Sequence, residues 1–415
     1  MPITRLKGKE TLVSTCKEDK GKWLTFERNS YYVVKDNEDF KIVIQNGTSL
    51  SSLITTYVTD MKRMVKKNLE NPETFNEPLN TWDVSNVENM IWMFSNCSSF
   101  NQPLHSWNVS NVKDMSCMFI DCSSFNQPLE QWNVSNVKDM TYMFRGCSLF
   151  NQPLNSWNVS NVKNMSGMFN YCSLFNQHLN SWNVSNVKNM SGMFSNCLLF
   201  NQSLNSWNVS NVKDMSWMFY NCSSFNQPLN QWNVSKVESM ICMFKGCSLF
   251  NQPLNSWNVS NVEQMYFMFK KCLSFNQYLN SWNVSKVQSM ICMFQDCSCF
   301  NQSLDQWNVS NIECMYYMFE GCVSFNQPLS YDFIQKFIQS NKKIYHSNPI
   351  IKYEERPLTL EQVYRLQPHM KEVSKQVEKI IKEFYKYKKS TNAIIHEKMH
   401  GFCKELIPHI TSFCL

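Results

Sequence analysis

No run of 18 or more apolar residues occurs in the 415-residue chain, so no stretch is long enough to cross a bilayer as a helix. The first sixteen residues carry charge where a secretion signal needs an apolar run of about seven residues, and no signal peptide is expected. Leu12-Val-Ser-Thr-Cys16 has only a faint likeness to a lipoprotein cleavage site. A basic excess is also missing from the middle of the chain. Residues 75–324 hold 11 basic against 14 acidic side chains, residues 1–74 hold 13 against 10, and residues 330–415 hold 15 against 9. The net charge of +6 therefore belongs to the flanks.

What is present is a 25-residue phrase written ten times between Phe75 and Ser324. A fixed period of this length signals stacked units, each burying its apolar positions only against its neighbours. Within a unit, Leu104-x-x-Trp107-x-Val109 matches the strand pattern of a leucine-rich repeat, with Trp107 and Val109 inward and Asn108 outward. Val112, Met115, Met118, Phe119 and Cys122 then follow the apolar stripe of a helix of about three turns. Ser110 fits the N-cap of that helix, and Glu88, Glu238, Glu263 and Glu313 complete a capping box in their copies. Phe125-Asn-Gln-Pro128 reads as the return turn.

The expected fold class is therefore an α/β repeat solenoid. It is a leucine-rich-repeat-like right-handed coil with one short parallel strand and one helix per 25-residue repeat, followed by a C-terminal helical segment. The expected organisation is an N-terminal segment (1–45), a degenerate capping repeat (46–74), ten repeats (75–324), a C-terminal cap (325–345), a linker (346–358) and an amphipathic helical hairpin (359–415).

The phrase FNQPLNSWNVSNVKDMSxMFxxC resembles the repeats of BspA-like surface proteins and the related 25-residue repeats of Mycoplasma-type lipoproteins. The resemblance covers residues 75–324 and implies a solenoid used for protein contacts, often at cell surfaces. It implies no catalytic residue.

Ten of the 18 cysteines, Cys97 to Cys322, share one repeat position. Placed on helices packed about 8–10 Å apart, they lie too far apart for disulfides, which need Cα atoms within about 7 Å. They read as a buried thiol column, which favours a reducing compartment, while the family resemblance allows a surface location. The paired methionines, such as Met115 and Met118, read as adaptable core filling. Asn108 and its equivalents to Asn308, headed by Asp83, are expected to bond along the stack at a spacing of about 4.8 Å. They also fit N-x-S glycosylation sites, but nine sugars at that spacing crowd one another.

One position varies in a way that bears on function. Two places after the first methionine the copies read Trp92, Cys117, Tyr142, Gly167, Gly192, Trp217, Cys242, Phe267, Cys292 and Tyr317. On a helical projection this position points away from the core stripe. Trp92, Tyr142, Trp217, Phe267 and Tyr317 are therefore the candidate partner-binding residues, as exposed aromatics are common binding anchors.

The C-terminal segment carries His396-Glu397-Lys398-Met399-His400, an HExxH string of the kind that binds zinc through two histidines one turn apart. His396 and His400 are the alternative metal ligands, with Glu405, His409 and Cys414 as candidate third ligands. The elongated form of the motif is broken by Cys403 and Leu406. Lys382, Lys386, Lys388 and Lys389 form a short basic run, which is more often a solvated helix face than a nucleic-acid site.

The function expected from the sequence is a non-enzymatic protein-interaction scaffold with no cofactor and no small-molecule substrate, its protein partner unidentified. The alternatives are a zinc-dependent hydrolase using the HExxH string, and nucleic-acid binding through the basic tail.

Overall fold

The computed structural model describes residues 3–6, 10–65, 71–330, 332–337 and 340. The expected linker, the helical hairpin, the lysine run and the HExxH string with His396 and His400 all lie outside the described residues.

The chain opens with a small sheet assembly. Strands β1 (Ile3–Arg5) and β2 (Leu12–Ser14) pair antiparallel, as do β3 (Trp23–Phe26) and β4 (Asn29–Val33). The β3–β4 hairpin turns through Glu27 and Arg28, both at positive φ (47° and 67°), as the two-residue turn that matches strand twist requires. Helix α1 (Asn37–Gln45) is capped by Asp36, whose side chain accepts from the backbone N–H groups of Glu38 and Asp39, satisfying two free first-turn donors. Strand β5 (Leu53–Ile54) then pairs parallel with β4, Tyr32 beside Leu53 and Val33 beside Ile54. The helix turns Phe40 onto Trp82, the first tryptophan of the repeats, with ring centroids 5.2 Å apart. This contact closes one end of the core.

From Asp60 onward the backbone forms a ladder of single parallel bridges one repeat apart. It runs through Asn89, Asp114, Asp139, Asn164, Asn189, Asp214, Ser239, Gln264 and Ser289 to Cys314. The pairing thus falls at Asp114 and its equivalents, and not at Trp107–Val109 where a strand was expected. The alternation there is nevertheless kept, with Trp107 and Val109 buried and Asn108 exposed.

No α-helix forms over Val112–Cys122 or its copies. The N–H groups instead alternate between two destinations. Met115, Cys117, Phe119 and Asp121 donate to carbonyls of the next repeat at 2.6–3.1 Å, whereas Met118, Ile120 and Cys122 donate three residues back at 3.0–3.2 Å. The three-residue apolar spacing therefore belongs to consecutive tight turns. Two residues per repeat sit at positive φ, for example Cys117 (57°) and Asp121 (59°), a conformation that ends any right-handed helix. Without the helix, Ser110 is no N-cap. Its N–H donates to Asn108 instead.

The interior is a set of parallel columns. Trp82 to Trp207 stack with centroids 6.3–6.5 Å apart and planes within 2° of parallel. Two phenylalanine columns run beside them, Phe94 to Phe319 and Phe75 to Phe325, and touch within each turn, as Phe119 and Phe125 do at 4.3 Å. Each such contact adds about 0.5–1.5 kcal/mol beyond burial. One apolar core extends from Val34 to Phe337. At its far end Phe333 and Phe337, in the helical stretch 332–337, lie 6.1 and 6.2 Å from Phe319.

Polar side chains tie the stack together along two other columns. Asn101 accepts the backbone N–H of Asn126 at 3.0 Å, and the same bond links ten successive pairs from Asn76 to Asn326 at 2.9–3.0 Å. Asn111 donates from Nδ2 to the carbonyl of Ser85, one unit back, and Asn136 to that of Ser110. The expected ladder through Asn108 is not formed. That side chain and its equivalents each cap their own turn by accepting the N–H two residues on, the local closure that Asn favours. The thiols complete the pattern. Cys122 to Cys322 each donate to the carbonyl of a phenylalanine 28 residues earlier, at 2.8–3.0 Å. Burial pushes the pKa of these thiols up, and Cys322 reaches about 12. Interhelical distance, expected to keep the thiols apart, has no counterpart in repeats that contain no α-helix. The thiols are instead engaged with backbone carbonyls.

Candidate functional site

The varying column proves to be a column of left-handed residues. All ten positions from Trp92 to Tyr317 have φ between 51° and 61°. Such a φ costs a residue other than glycine on the order of 1 kcal/mol, and it is held here by the N–H bond to the next repeat, for example Trp217 to the carbonyl of Ile241 at 2.7 Å. Where a side chain of the column faces outward, as Tyr142 and Trp217 do, it stands on this turn and not on a helix.

Exposure along the column is uneven. Tyr142 and Trp217 are exposed by 40% and 44%, whereas Trp92, Phe267 and Tyr317 are half-buried. Cations lie over several rings. The guanidinium of Arg63 is 5.4 Å from the Trp92 centroid, that of Arg145 is 5.8 Å from Tyr142, and Lys245 and Lys270 flank Phe267 at 5.1 and 5.5 Å. Contacts of this kind contribute about 0.5–1 kcal/mol each at exposed sites and orient the rings.

Large and small residues alternate in the column, and the reason is steric. A Cβ on Gly167 would come within 2.1 Å of Cε1 of Tyr142, so the tyrosine ring lies across the glycine one repeat on. One repeat beyond Trp217, Cys242 is likewise buried. Cys117 and Cys292, one repeat beyond Trp92 and Phe267, are buried.

Two further exposed lines run near this column, and the sequence reading did not single them out. Four residues earlier in each unit, Lys113, Lys138, Lys163, Lys188 and Lys213 follow one another, bounded by Glu88 and Glu238. The end members pair across repeats, Lys113 with Glu88 at 2.6 Å and Lys213 with Glu238 at 2.9 Å. These glutamates thus serve ion pairs and not capping boxes. Lys138, Lys163 and Lys188 form no ion pair with another described residue. Seven residues later than the aromatic column, Leu149, Leu174 and Leu199 form an exposed apolar row, with Leu198 beside the last. Reading the repeats as columns is the signal that finds both lines.

The lines converge on one part of the stack. Residues 140–224 hold four basic side chains and one acidic, whereas residues 75–139 hold two and seven, and residues 225–324 hold five and six. The central repeats are a basic band in an otherwise acidic array, and they carry Tyr142, Trp217 and the exposed leucines.

No group of three His, Cys, Asp or Glu side chains able to hold a metal occurs among the described residues. Among those residues no helix is long and apolar enough to cross a membrane.

A family model described as "Mycoplasma protein of unknown function, DUF285" matches three overlapping stretches, residues 33–155, 141–254 and 221–333, together more than half of the chain. No curated protein matches it.

Proposed function

The chain belongs to the DUF285 family, and on that premise we propose that it is a non-enzymatic protein-interaction scaffold built on a leucine-rich-repeat-like solenoid. The finer likeness to BspA-like surface proteins is part of the same proposal. The observation that carries it is the contrast between the columns. The core and the polar ladders repeat one residue type and serve the stack, whereas the aromatic, lysine and leucine lines vary along the array and present Tyr142, Trp217, the lysines and the leucines to solvent. Exposed aromatic and apolar rows on a rigid support are what a protein-binding surface requires. In this reading Tyr142 and Trp217 are the principal anchors, with Trp92, Phe267 and Tyr317 as flanking contacts. The residues beyond 340 serve attachment or assembly, and the thiol column is kept reduced.

The test is capture of a protein partner by the full chain, by a chain ending at residue 345, and by the full chain with Trp217→Ala. Retention by the first two and loss in the third supports the proposal. A partner held only through residues 346–415, or stoichiometric zinc lost in His396→Ala with accompanying hydrolytic activity, contradicts it.

A further inference from the structure

The alternation of large and small residues in the aromatic column slips once. Between Tyr142 and Trp217 stand two glycines in place of one. Tyr142 covers Gly167, which is buried, and Gly167 has no side chain with which to cover Gly192. A Cβ placed on Gly192 would meet nothing nearer than Cβ of Ser195 at 3.9 Å and Cα of Gly167 at 4.0 Å. Gly192 is accordingly part-exposed, an uncovered slot in the column between Gly167, over which the Tyr142 ring lies, and Trp217 on the following repeat.

Resting on the interaction reading above, we propose that the slot at Gly192 binds an aromatic side chain carried by an acidic segment of a partner protein. The stack itself indicates the occupant. Tyr142 shows that an aromatic ring fits over a glycine of this column, so a ring supplied from outside completes the row at the unit where the protein supplies none. Aromatic groups seated against exposed rings add to burial through stacking. The charge of the segment follows from complementarity. The slot lies in the basic band, whose Lys163 and Lys188 are exposed and form no ion pair with another described residue. Carboxylates reaching this lysine line gain attraction and a faster encounter. The row of Leu149, Leu174 and Leu199 favours a peptide over a nucleic acid, since it offers apolar side chains where a phosphate backbone needs donors.

The experiment is selection of a displayed library of random peptides on the immobilised full-length protein. Fluorescence anisotropy of the enriched peptides then follows on wild type, Gly192→Cys and Lys188→Glu, each checked by thermal melting. Cysteine is chosen because Cys117, Cys242 and Cys292 hold the same backbone conformation in this column. Lys188→Glu is exposed and keeps the test valid if the slot variant unfolds. The expected result is a pool rich in Asp and Glu around one aromatic residue. Its binding should weaken about tenfold in Gly192→Cys, the loss expected of a buried aromatic anchor, and fall with salt and in Lys188→Glu. Enriched peptides without that composition, or binding unchanged by both substitutions, overturn the slot while leaving the repeats as a protein-binding surface. Tight binding of an oligothymidine that Gly192→Cys abolishes also overturns it. No enrichment over bare support removes both the slot and the interaction reading.

Discussion

The indole N–H of Trp207 donates to the carbonyl oxygen of Leu179, one repeat below, at 2.9 Å. The same bond recurs ten times, from Trp82 onto Leu50 to Trp307 onto Leu279, at 2.8–3.1 Å. Tryptophan therefore does two things that leucine at this position could not. It extends an aromatic stack and gives a buried carbonyl a second donor beside the backbone N–H three residues on. Trp207→Phe keeps most of the ring and leaves the carbonyl only the backbone N–H of Trp182, at 3.0 Å, and should cost about 0.5–1.5 kcal/mol. Trp207→Ala adds a cavity and should cost about 3–5 kcal/mol. Urea denaturation of the two variants measures the difference.

The two asparagine columns make a second contrast. Asn176 accepts the backbone N–H of Asn201 at 2.9 Å and the side chain of Gln202 at 3.0 Å, across a repeat boundary. Asn176→Ala leaves both donors without this acceptor and should destabilise by about 1–2 kcal/mol. Asn183 only closes its own exposed turn onto Ser185, and Asn183→Ala should cost less than about 0.5 kcal/mol. Equal losses in thermal melting would contradict the assignment of the ladder.

The thiol column predicts alkaline sensitivity. Burial raises the pKa of Cys122, Cys147, Cys172 and their equivalents above that of an unfolded thiol. The native state then holds protons that the unfolded chain releases as pH passes the unfolded thiol value. The associated stability is complete below that pH and is lost as pH rises toward the folded value. Each thiol contributes a slope of roughly 1.4 kcal/mol per pH unit in this window. Melting temperature should fall steeply from about pH 9 upward, and less steeply when several column cysteines are replaced by serine, which retains a donor for the carbonyl. Among the described residues, exposed Cys299 should react with a thiol reagent well before the buried column does.

Backbone geometry gives the fourth prediction. Lys271 is exposed at φ 63°, in the second left-handed column. Lys271→Gly removes the cost of that conformation and should stabilise by up to about 1 kcal/mol, whereas Lys271→Val, β-branched, should destabilise by more than about 1 kcal/mol. Chemical denaturation of both reports the sign.

The period and the buried positions were legible in the sequence because each of these columns repeats one residue type. The local conformation was misread, and the contradicting signal was present. The second left-handed column reads Asn96, Asp121, Gly146, Tyr171, Asn196, Asn221, Gly246, Lys271, Asp296 and Gly321. Eight of these ten are Asn, Asp or Gly, the residue types that tolerate positive φ. Placed near the end of an expected helix in every copy, they argue for turns. The apolar spacing from Val112 to Cys122 could not settle this, since three-residue turns and a helix bury the same residues. Tyr142 and Trp217 were found by their variability. The slot at Gly192 needed the ring of Tyr142 to be located over Gly167, which no spacing discloses.

Because each unit packs only on its neighbours, whole repeats can be removed and the columns rejoined. Excision of residues 175–224 joins Leu174 to Phe225 and deletes Gly192 and Trp217, whereas excision of residues 250–299 joins Leu249 to Phe300 and spares them. The most direct measurement is the affinity of a peptide selected on the intact protein for both shortened chains, each shown to melt cooperatively. The first excision should abolish binding, and the second should leave it within about threefold, as expected of distant independent sites. Binding that survives the first excision, or that both excisions remove equally, would contradict a recognition surface located in the central repeats.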